Sequence, residues 1–161
     1  MRQDPPRLAE LRRHLILDSS PERAYDDLTR LLASSLEVPI ALVNLLDSER
    51  DWFKSRIGLP LTESPASASF CEAFFSTTED LIVVEDTLQD PRFVTHPLVV
   101  NAPFVRFYAA ARLTSRGKTL GTLCSYDLRP RQLSAAQISQ MRMLATAAMA
   151  LISERAKPSG N

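Results

Sequence analysis

The sequence has no net charge: 19 Lys and Arg balance 19 Asp and Glu. A nucleic-acid binder needs a basic footprint to neutralise phosphates, so the balance argues against that class. No apolar run approaches the roughly 20 residues of a membrane span. The opening stretch MRQDPPRLAE lacks the hydrophobic segment of a signal peptide. Cysteine is scarce. Cys71 and Cys124 stand far apart with no metal-ligand spacing, so no metal is expected. These absences together predict a cytoplasmic protein with reduced thiols and no membrane partner. There is no Ser-His-Asp arrangement, no Gly-rich phosphate loop and no internal repeat.

What is present fits one domain. At 161 residues with 45% apolar content the chain can bury a real core. Residues 1–6 are expected as a tail, 7–156 as a single domain and 157–161 as a disordered tail. RLAELRRHLIL puts Leu8, Leu11 and Leu15 on one helical stripe, with His14 on the solvated face. The run Ser20, Pro21, Glu22 signals a second helix from Pro21, with Ser20 as cap and Leu28, Leu31 and Leu32 on one side. PIALVNLLD reads as a strand covered on both faces. DWFKSRIGL is its hairpin partner, with Trp52, Lys54 and Arg56 on one face and Phe53, Ser55 and Ile57 on the other.

A short helix follows in SASFCEAFFST, then a strand in DLIVVED. Residues 86–104 form a long loop with three prolines, and a loop of that length in a small domain tends to be functional. Two long strands turn at Gly117. The closing helix starts with a Ser134–Gln137 capping box and carries an apolar seam through Ile138, Met141, Ala145, Ala148 and Ile152. Hairpins dominate this order, so an α+β fold is predicted, with a mainly antiparallel sheet and helices on both faces.

The stretch from Ile16 to Leu59, most of it SPERAYDDLTRLLASSLEVPIALVNLLDSERDWFKSRIGL, and the motifs SFCEAFF, VVEDTLQDPRF, RFYAAARL and LGTLCSYDLRPRQLS together resemble bacterial GAF domains, a fold related to PAS domains. The resemblance runs from about Leu8 to Glu154. It implies a central sheet of five or six strands. The first and last helices would lie on one face, and the short helix and long loop would enclose a small-molecule pocket on the other. It also implies a homodimer through the N- and C-terminal helices, and a fused or separate output module such as a histidine kinase or diguanylate cyclase.

In that frame Trp52, Phe70, Cys71, Asp86, Arg106 and Tyr108 are the candidate ligand-binding residues, around a small polar molecule. Phe107, Ala109, Ala111 and Leu113 suit the helical layer, leaving Arg106, Tyr108 and Arg112 toward the pocket. Arg106 has three possible fates: a ligand anion, a carboxylate such as Asp86 or Asp90, or solvent. Of Trp52 and Phe53, which face opposite ways, one enters the core and the other can wall a pocket. Cys71 lies near a helix start, where a thiol can become reactive, although a small buried hydrophobe is the simpler role. His96 is a lone loop histidine without a ligand pattern.

The leading expectation is a sensory module. The alternatives are a dimerisation module with a vestigial pocket and a thiol reductase of the free methionine sulfoxide type. The reductase needs a nucleophilic and a resolving thiol, and neither Cys71 nor Cys124 matches its pattern. The Asn-Lys…Phe…Asp-Glu pattern of cyclic-nucleotide-binding relatives and the Cys-His pair of bilin-binding relatives are both missing.

Overall fold

IALVNLL forms the strand β1 (Ile40–Leu46), buried at every position but its first, as a strand covered on both faces should be. A computed structural model describes residues 1–156, so the tail expected at 157–161 lies outside the described residues. Around β1 the chain adds β2 (Arg50–Ile57), β3 (Glu63–Pro65), β4 (Leu81–Val84), β5 (Phe107–Ser115) and β6 (Lys118–Asp127). They form one sheet in the order β3-β2-β1-β6-β5-β4, and each neighbouring pair is antiparallel.

The helices α1 (Pro5–Arg13), α2 (Arg23–Leu36) and α4 (Ala135–Arg155) cover one face. Two 3-10 helices, Ala66–Ala68 and Phe70–Ser76, and the short α3 (Pro97–Val100) cover the other. β5 divides as its alternation predicts. Phe107, Ala109, Ala111 and Leu113 join the helical-side core, while Tyr108 and Ala110 join the opposite one.

Four local expectations are corrected. Leu15 leaves the helical stripe: α1 ends at Arg13, Leu15 turns left-handed (φ 54) and points outward, and Ile16 takes the buried place. His14 is buried, its Nδ1 3.1 Å from the Ile152 carbonyl, so it joins α1 to α4 instead of facing solvent. Ser20 does not cap α2. The cap position is Glu22, and the segment before it is held by the buried Lys54 ammonium, which donates to the Ser19 hydroxyl (2.8 Å) and the Ser20 carbonyl (2.5 Å).

The fourth lies in β2, where the register to β1 skips Lys54. This bulge flips the alternation beyond it. Ser55 therefore faces α2, bonding Asp26 and Thr29, instead of sharing the face of Phe53. The capping box of α4 forms as expected, with Ser134 and Gln137 bonding reciprocally. Among the described residues no helix is long and apolar enough to cross a membrane.

Candidate functional site

The face opposite the long helices carries two adjoining regions. The first is an apolar cavity of about 160 Å³ at the β1–β2–β6 end. Leu42 and Phe53 rise from the sheet, Phe70 comes from the 3-10 helix, Leu98 from α3, and Pro103 and Val105 from the segment between α3 and β5. Ser64, Ser69 and Tyr126 are its polar-bearing members. Phe70 anchors an aromatic cluster: its ring lies 4.1 Å from His96 and 5.2 Å from both Phe93 and Tyr108. His96 Nδ1 accepts from the Leu98 amide, so Nε2 bears the proton and has no partner among the described residues.

The second region is a buried polar row. Cys71 Sγ lies 3.0 Å from the hydroxyls of both Tyr108 and Thr122. Asn44 Nδ2 donates to Asp51 Oδ2 (2.9 Å), which also accepts from the Ser69 hydroxyl (2.6 Å). Arg2 donates to Asp51 Oδ1 at 2.9 Å. Burial pushes the Asp51 carboxyl above its ordinary value, more than Ser69, Arg2 and Asn44 pull it down. Burial opposes the Arg2 charge, but Asp51 and Glu72 outweigh it and hold the guanidinium firmly protonated. Neighbouring Arg7, buried beside Arg2, is pushed down to about 10. Burial likewise raises Cys124 and Tyr108 well above their ordinary values.

The expected site residues divide. Phe70 walls the cavity. Cys71 and Tyr108 meet in the polar row, both fully buried. Trp52 belongs to the helical-side core, so at this point of β2 the cavity wall is Phe53. Arg106 and Asp86 do not line the cavity; they pair with each other through both carboxylate oxygens at 3.1 Å, and Asp86 also caps the 3-10 helix Thr87–Gln89. Arg112 is also a brace: it donates to the carbonyls of Phe74, Thr77 and Glu79 behind the 3-10 helix Phe70–Ser76. Among the described residues no group of three His, Cys, Asp or Glu is placed to hold a metal.

Most of the residues that sequence reasoning missed had a signal. Asn44 is the lone polar residue of an otherwise apolar strand, and Thr122, Cys124 and Tyr126 alternate along β6 on the cavity side. Arg2 had none, because its partners are some 45 to 70 positions away.

Residues 20–152 match the GAF domain family. The chain is 34% identical over 139 residues to a cyclic di-GMP phosphodiesterase, PA2567, of Pseudomonas aeruginosa, covering 85% of this chain and 24% of that protein. It thus spans about a quarter of the length of the curated relative it matches. Among solved structures, the GAF domain of an Acinetobacter phosphoenolpyruvate-protein phosphotransferase superposes with TM-score 0.66 at 19% identity, covering 94% of this chain and 96% of that one. The chromophore-binding domain of the bacteriophytochrome RpBphP3 from R. palustris superposes with TM-score 0.67 at 12% identity, covering 91% and 60%. At these identities the likeness is one of fold.

Proposed function

Since the chain belongs to the GAF domain family, we propose that it is a sensory or regulatory domain that admits a compact, mainly apolar molecule to the cavity under Phe70 and passes its occupancy to a signalling output. The observation that carries this reading is the cavity itself, walled by Leu42, Phe53, Phe70, Leu98 and Val105. Its 160 Å³ lies below the roughly 300 Å³ where drug-sized pockets begin. It suits a molecule the size of benzene or indole. The expected polar ligand rested on Arg106 and Tyr108; Arg106 pairs with Asp86, and the Tyr108 hydroxyl is buried against Cys71, which weakens that argument. A regulatory role is favoured over a thiol-dependent one because Cys71 and Cys124 are both closed to solvent.

Pairing of two copies through the terminal helices belongs to the same proposal. Exposed Met143 on α4 supports it, and light scattering distinguishes dimer from monomer.

The test is occupancy of the cavity. Native mass spectrometry of freshly purified protein is expected to reveal an added mass that is lost on denaturation. Indole is expected to raise the melting temperature saturably, and Ala68→Phe, which fills the cavity, to abolish both effects while the fold persists. A chain with no added mass and no response to indole would remove the ligand and leave a dimerisation role.

A further inference from the structure

Arg2 is a buried guanidinium: its side chain is 5% exposed. Nε donates to Glu72 Oε1 (2.8 Å), Nη1 to the carbonyls of Asp47 (2.8 Å) and Arg50 (3.3 Å), and Nη2 to Asp51 Oδ1 (2.9 Å). Two carboxylates and two carbonyls thus converge on one planar cation. All four come from the β1–β2 turn, β2 and the 3-10 helix Phe70–Ser76, so the acceptors are positioned by the sheet and its cover and not by the segment that fills them.

Asp51 is itself held on its other oxygen by Asn44 and Ser69. Asn44 is 1% exposed, and its Oδ1 has no donor among the described residues. The hydrogen-bonded unit therefore keeps an acceptor that Arg2 does not use. Arg2 is in turn retained by its backbone: Arg7 donates to the Arg2 carbonyl through Nε (3.0 Å) and Nη2 (2.7 Å).

We propose that this end of the sheet is a binding site for a small guanidinium- or amidinium-bearing cation, and that Arg2 is its tethered occupant. The arrangement selects the group. A planar fork with five N–H donors meets four acceptors fixed in separate directions, whereas an ammonium has three donors on one point and leaves a buried acceptor unmatched. Displacement of the Arg2 side chain by such a cation removes its four hydrogen bonds from the Met1–Asp4 segment, which leads into the Asp4 cap of α1 and is then held chiefly through Arg7, so occupancy bears on the first helix. The site is distinct from the apolar cavity, although the two share Ser69, which lines the cavity and holds Asp51.

The probes are methylguanidinium and methylammonium at matched ionic strength. Arg2→Ala is expected to lower the melting temperature by roughly 5–15 °C, because it strands the buried Asp51. Millimolar methylguanidinium is expected to restore most of that loss saturably in Arg2→Ala, and methylammonium less than a tenth of it. The response should vanish in Arg2→Ala/Asp51→Asn. If Arg2→Ala does not fold, the unmodified protein decides. Tethering gives Arg2 an effective concentration in the millimolar range, so tens of millimolar methylguanidinium should shift the Arg2 Nε–H resonance saturably and methylammonium should not. The absence of a saturable response, or equal responses to the two cations, would reduce Arg2 to a structural ion pair and overturn the proposal.

Discussion

At the scale of single residues, the buried ionisable groups carry the sharpest consequences. Glu10 on α1 accepts from Arg13 Nη2 (2.8 Å) and from the Ser115 hydroxyl (2.6 Å). The Arg13 hydrogen bonds lead in lowering its pKa, from 4.5 to about 2, against the opposing effect of burial. The folded protein thus keeps this carboxylate ionised to lower pH than the unfolded chain does. Its contribution to stability is complete above pH 4.5 and fades as pH falls toward 2. Glu10→Gln should melt below the parent protein at pH 7, and the two curves should converge below pH 4.5. A margin that stays constant through that window would refute the assignment. Residue identities on this scale were only partly legible in sequence. The alternation of β5 was readable, because period-2 patterning survives in a regular strand. Whether Arg106 met a ligand or Asp86 was not, because the pairing spans 20 positions and a loop.

At the scale of elements, close approach of backbones fixes the centre of the sheet. A Cβ on Gly121 of β6 would lie 2.0 Å from the Asn44 carbonyl oxygen and 3.1 Å from Leu45 Cα on β1, and neither is a side chain that can swing away. Gly121→Ala should therefore force β1 and β6 apart and cost about 3 kcal/mol in urea denaturation. Gly117, at φ +75 in the β5–β6 turn with open space around it, is the control: Gly117→Ala meets only backbone strain, about 1 kcal/mol. Equal losses for the two would show that crowding at Gly121 is relieved. Most elements were legible because capping boxes, prolines and apolar periods are local signals. The short β3 and the bulge at Lys54 were not. β3 is three residues paired by tertiary context, and the bulge answers to a buried ammonium reaching Glu22, which no local pattern encodes.

At the scale of the whole molecule, one line of contacts joins the cavity to the far end of the last helix. Phe53 walls the cavity, and the next residue, Lys54, sends a fully buried side chain to the opposite face of the sheet. There its ammonium meets Glu22 Oε2 at 2.6 Å, and the same oxygen accepts from Arg155 Nη1 at 2.5 Å. Arg155, in the last turn of α4, also donates to the carbonyls of His14 and Leu15. The end of α4 is thus tied through Glu22 to the strand that lines the cavity, whereas its middle is held by Met141, Ala145 and Ala148 in the core. Lys54→Met keeps the buried stem and removes the charge. It should quicken amide exchange at residues 152–155 roughly fivefold, the loss of about 1 kcal/mol of local stability, and leave residues 141–148 unchanged. Indole in the cavity of the unmodified protein should alter exchange at the same last turn, since a ligand can shift only those elements whose contacts differ between its bound and free states. If Lys54→Met speeds exchange along all of α4, the residue acts on global stability alone. If neither change reaches the last turn, the contacts from Phe53 to Arg155 are structural, and any signal leaves the domain by another face.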